Sequence, residues 1–75
     1  MNQRTQQKLQ RIQHRLDGIL SISTVEFQHR FSVCRASTLQ YMRQLVQQYP
    51  EQFELRTQTY RGKPLYVLYN KDYQP

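Results

Sequence analysis

The stretch Ser23–Leu45, STVEFQHRFSVCRASTLQYMRQL, reads as two short helices joined by a tight turn, and its neighbours read as its support. Ser23 and Glu26 have the spacing of a capping box. In that arrangement the serine oxygen accepts from the third backbone N–H of a helix, and the glutamate side chain reaches back to the serine N–H. Phe27 and Phe31 are four residues apart and therefore share a helical face, with Val33 in the turn that follows. Past the turn, Ser37, Thr38, Met42 and Leu45 suit a second helix that holds Met42 and Leu45 inward.

Val33, Cys34, Ser37, Met42 and Leu45 fill, without a gap, the pattern of an apolar-acidic opening, a turn valine, a small residue, a Ser/Thr and two apolar residues at helical spacing. On these residues the segment resembles a helix-turn-helix. With the hairpin-like residues 53–70 behind it, the chain resembles a winged helix-turn-helix domain over nearly its whole length, at the level of a superfamily and of no single family. Two residues depart from the pattern. Cys34 stands where a serine or threonine cap is usual, and a thiol caps poorly. Ser32 stands where a turn glycine is common, and serine tolerates positive φ less well. The resemblance implies an α+β fold of three helices and a C-terminal β-hairpin, and a role in binding double-stranded DNA.

Composition sets outer limits. Seventy-five residues suit one small domain in which every element helps to bury a marginal core. Eleven Lys/Arg against five Asp/Glu give a net charge of +6 and favour a polyanionic partner, nucleic acid before acidic membrane. The bland alternative is that basicity only aids solubility. A single cysteine excludes an internal disulfide and fits a reducing cytoplasm. No apolar run approaches the roughly 20 residues of a membrane span, and the polar N-terminus does not read as a signal peptide.

The flanks complete the architecture. Residues 3–17 lack proline and glycine and are expected to form a helix, with Leu9, Ile12 and Leu16 as its buried stripe and Gly18 as its stop. Arg4, Lys8, Arg11 and Arg15 form a second stripe about a quarter turn away, either along a phosphate backbone or simply solvated. Ile19–Ile22 is either a brief strand that pairs with the hairpin or an overrun of the helix to Leu20. The second helix is expected over 24–31 and the third over 35–49, where Pro50 ends it. Met42, Leu45 and Tyr49 then face the core beside Val46. Leu39 is ambiguous, because a register shifted by one would bury it in place of Thr38. In 53–70, Phe53, Leu55, Thr57 and Thr59 alternate with polar residues, RGKP is turn chemistry and LYVLY suits a strand. Tyr66, Leu68 and Tyr69 exceed what one small core covers, and the tail NKDYQP reads as a loose end.

Third-helix chemistry matches a major groove. Arg35, Gln40, Arg43 and Gln44 are candidates for base edges, since Arg suits guanine O6/N7 and Gln suits adenine N6/N7. Ser37 and Thr38 are candidates to donate to phosphate, and Tyr41 to contact phosphate or a thymine methyl. Arg61 and Lys63 at the hairpin tip, with Arg56 near it, are candidates for the backbone or minor groove. A generic polar helix face and a plain solvated hairpin are the competing accounts.

Catalysis finds little support. Gly18 and Gly62 are the only glycines, so no phosphate-cradling loop is present, and the five carboxylates are scattered. His14 and His29 are isolated from other ligands, so neither a metal nor a cofactor is expected. Cys34 lacks the signature of a thiol nucleophile, although a helix start could lower its pKa. The expectation is therefore a non-enzymatic, sequence-specific DNA-binding protein, a small transcriptional regulator. Its alternatives are a protein-interaction winged helix and an architectural or recombination accessory factor, with an RNA or single-strand binder ranked last. A homodimer or partner protein would use the first helix or the last strand; no membrane is expected.

Overall fold

Leu9, Ile12 and Leu16 are all buried, and around this stripe the rest of the core assembles. The computed structural model describes residues 3–73. Its elements run α1 (Gln3–Arg15), β1 (Ser21–Ser23), α2 (Thr24–Phe31), α3 (Arg35–Gln48), β2 (Phe53–Tyr60) and β3 (Lys63–Asn70). The strands form one antiparallel sheet in the order β1-β3-β2. Three helices over a three-stranded sheet make an α+β fold whose layout is compatible with a winged helix. No helix among the described residues is long and apolar enough to cross a membrane.

The core draws on every element. Phe27 from α2, Val33 from the turn, Met42 and Leu45 from α3, and Phe53 and Leu68 from the hairpin surround the α1 stripe. Phe27 and Phe31 meet edge to face with ring centroids 4.8 Å apart, as their spacing predicts. The 19–22 segment resolves in favour of a strand. Its Ile22 lies opposite Leu68, which in turn lies opposite Leu55, so the three share the inner face of the sheet.

Ser23 is at once the last residue of β1 and the N-cap of α2. Its Oγ accepts from the Glu26 N–H at 3.3 Å, the first half of the expected capping box. The other half differs: the Ser23 hydroxyl donates to Glu26 Oε1 at 3.2 Å, and the carboxylate is thereby held on the side chain of the cap.

Four expectations need correction. Helix α1 ends at Arg15, and Gly18 does not take positive φ. At the helix end the Leu16 carbonyl accepts from the Ile19 N–H at 3.1 Å and from Asn70 Nδ2 at 2.8 Å. The tail is tied down as far as it is described: Asn70 is 4% exposed, and the Lys71 N–H donates to the Gln52 carbonyl at 2.7 Å. Leu68 is buried and offers no partner surface. The hairpin turn is only Arg61–Gly62, at φ 53° and 76°, with Lys63 and Pro64 already in β3. Two positive φ values in a two-residue loop match the twist of the strands. Pro64 is tolerated because β1 pairs only with residues 67–69, leaving this end of β3 with one neighbour.

Alternation along β2 also fades sooner than its sequence implies. Phe53 is buried and Leu55 half-buried, but Thr57 and Thr59 are exposed. All residues from 56 to 64 are exposed, so the outer half of the hairpin stands clear of the body.

Candidate nucleic-acid interface

Helix α3 has no acidic residue, and its solvent face is set by its core face. Thr38, Met42 and Leu45 are buried. At about 100° per residue, Ala36, Gln40, Arg43 and Gln47 then lie in a row on the opposite side, and all four are exposed. Arg35 is exposed in the first turn. Gln47 is absent from the expected set, yet it stands four residues from Arg43 and seven from Gln40. That spacing is the signal by which the sequence marks it.

One flank of the row is shared with α1. Ser37, Tyr41 and Gln44 are half-buried there. The Lys8 ammonium sits 5.3 Å from the centroid of the Tyr41 ring. Gln6 and Gln48 exchange amide hydrogen bonds of 2.9 and 3.0 Å, fixing the other side of α1 to the end of α3. Tyr41 thus serves as a seat for a cation as well as an edge of the surface.

The start of α3 rearranges the expected phosphate donors. Cys34 is the N-cap with no side-chain cap bond, as a thiol in that place implies. Its carbonyl accepts from the Thr38 hydroxyl at 2.9 Å and from the Thr38 N–H at 3.1 Å. Thr38 is only 2% exposed, so its hydroxyl is committed inside the protein and it is not a phosphate donor. Ser37 keeps a partly open hydroxyl 3.1 Å from Cys34 Sγ. That hydroxyl, followed by the backbone N–H of Ser37 and Ala36, holds the exposed Cys34 thiol below its ordinary pKa.

The hairpin divides its cations. Arg61 and Lys63 flank the tip, and the Arg61 guanidinium lies 5.3 Å from the Tyr60 ring centroid. Arg56 is held nearer the base. It donates through Nε and Nη2 to Glu54 Oε2 at 3.1 and 2.9 Å and stacks 4.4 Å from the Tyr69 ring centroid. Tyr69 also accepts from Gln58 at 2.8 Å. The Glu54 carboxylate raises the Arg56 pKa and offsets its charge, so Arg56 is a weaker candidate than the two tip residues. Glu54 stands two residues away in the sequence, on the same strand face.

Gln40, Arg43 and Gln44 therefore lie on or beside one accessible face of α3, with Ser37 and Tyr41 at its margin, while Arg35 is exposed in the first turn about 110° round the helix from that row. Arg61 and Lys63 stand apart at the tip of the hairpin. Among the described residues no group of three or more His, Cys, Asp or Glu side chains converges on a point that could hold a metal ion. No protein-family model, curated protein or solved structure matches the chain.

Proposed function

We propose that the protein is a winged-helix DNA-binding protein that reads duplex sequence with α3 and acts as a small transcriptional regulator. The supporting observation is the exposed row Gln40, Arg43 and Gln47, with Arg35 exposed in the first turn, on a helix without a carboxylate. Arginine and glutamine present paired donors and acceptors that match purine edges in the major groove, whereas a merely solvated face has no reason to exclude acids. Beyond the helix, the exposed hairpin carries Arg61 and Lys63 to the backbone or the adjacent minor groove. One module of this size buries only roughly 600–1,000 Å² on DNA, so useful specificity calls for a second copy or a neighbour on the site.

Selection from a random duplex library tests this reading. An enriched motif is expected, with preference relaxed at one position in Arg43→Ala. Two half-sites about one helical turn apart would indicate a dimer on the DNA. Absence of any enriched motif, with weak binding lost at moderate salt, would mean that only the net charge is being felt. It would move the function to protein interaction.

A further inference from the structure

We infer that the groove between α1 and the C-terminal end of α2 is a second phosphate-backbone site, and that it supplies most of the salt-dependent affinity for duplex DNA. The inference rests on the DNA-binding reading and assigns the backbone grip to a different surface. The groove is open, about 470 Å³ in volume, and lined by Arg4, Lys8, Arg11 and Arg15 from α1 and by Arg30 from α2. Five of the chain's eleven Lys/Arg thus face one concavity, and no carboxylate lines it. Three of the chain's five carboxylates have partners elsewhere. Asp17 accepts from Gln52, Glu26 accepts from the Ser23 hydroxyl, and Glu54 holds Arg56.

Geometry favours a strand of phosphates over other anions. Along α1 the four cations stand about 6, 4.5 and 6 Å apart on the axis, a row about 16 Å long. Such a row suits a ridge of regularly spaced charges better than one small anion. A flat bilayer would not enter a concavity, and the exposed large hydrophobics, Leu20, Val25 and Tyr60, all lie outside the lining. Position links the groove to α3. Lys8 lines it while stacking on Tyr41, and Ser32, in the turn that leads into α3, closes one end. With Arg56 neutralised by Glu54, the hairpin offers only Arg61 and Lys63, so the larger reserve of cations without a carboxylate partner is here.

The test uses the full chain and the duplex that library selection returns, with binding followed by fluorescence anisotropy over a series of salt concentrations. The triple variant Arg4→Gln, Arg11→Gln, Arg15→Gln is expected to reduce the slope of log affinity against log salt by about 2–3, near 0.9 for each phosphate no longer neutralised. Its preference for the selected over a scrambled duplex is expected to persist. Lysine at the same three positions should retain the wild-type slope. The single Arg11→Gln variant, expected to lose about one unit of slope, serves if the triple variant melts early by circular dichroism. A wild-type slope in the glutamine variants, with sequence preference intact, overturns the groove and leaves α3 readout standing. If the wild type binds no duplex but binds vesicles containing phosphatidylserine, or binds neither, the DNA-binding reading and the groove fall together.

Discussion

Asn70 and Leu16 are 54 positions apart, yet the Asn70 side chain donates to the Leu16 carbonyl at 2.8 Å and caps α1 from the last strand. The same side chain accepts from the Asp72 N–H at 3.0 Å, and its own backbone N–H reaches the Leu20 carbonyl at 2.8 Å. One buried residue therefore ties the first helix, the entry to β1 and the end of β3. Asn70→Leu would remove this bond and leave the Leu16 carbonyl only the Ile19 N–H at 3.1 Å, at a cost of about 0.5–1.5 kcal/mol. For a domain of this size each kcal/mol lowers Tm by about 4–8 °C, which a thermal melt resolves.

Ser32 closes α2 in the left-handed conformation at φ 53°, where a Cβ is disfavoured. Ser32→Gly is expected to gain about 0.5–1 kcal/mol in denaturant unfolding. Arg61, at the same φ in the hairpin turn, should gain similarly on replacement by Asn, since Asn-Gly is the preferred pair for such a turn. A loss of stability in Ser32→Gly would contradict the strain.

Cys34 should react with iodoacetamide at lower pH than an ordinary thiol, because the Ser37 hydroxyl can turn to donate to the thiolate. Ser37→Ala is expected to move the alkylation midpoint upward. The sign for folding follows from a folded-state pKa below the unfolded one: the contribution is present above the unfolded thiol's pKa and is lost as pH falls through the folded value. An unchanged midpoint in Ser37→Ala would remove the hydroxyl as the cause.

Thr38 and Arg43 should separate stability from readout. Thr38→Val keeps the buried shape but loses the hydroxyl bond to Cys34, costing about 1 kcal/mol of stability with no change in the salt slope of binding. Arg43→Ala should leave the melt unchanged and cost about 1–3 kcal/mol on the selected duplex, relaxing one base position. Gln47→Ala, scored on the same duplex, reports whether the C-terminal half of α3 also enters the groove.

Local chemistry made much of the fold legible. The α1 stripe, the Ser23 cap and the 24–31 helix depend on neighbours within a turn or two, and the structure has them where spacing puts them. The outer face of α3 follows from the same periodicity, which reaches Gln47 although the expected set omits it. Long-range pairings are beyond the reach of local pattern. Nothing near Asn70 in sequence marks it as a cap for Leu16, and nothing near Arg56 says that its ring partner is Tyr69, across the sheet. Thr38 departs from expectation for a similar reason. Burial of a small polar residue depends on how closely the helices approach, and a threonine can satisfy its own hydroxyl on the preceding turn.

The two flanks of α1 are built from different materials. Neutral amides bind one of them to the rest of the protein, Gln6 to Gln48 and Gln13 to Gln52, while the other gathers like charges. Electrolyte then acts in opposite directions on the same helix. It quiets the crowding of cations in the free protein and leaves the amide clasps untouched, so added salt is expected to stabilise rather than loosen the free fold. Any polyanion that relieves that crowding does so best in dilute buffer and is the first thing salt removes.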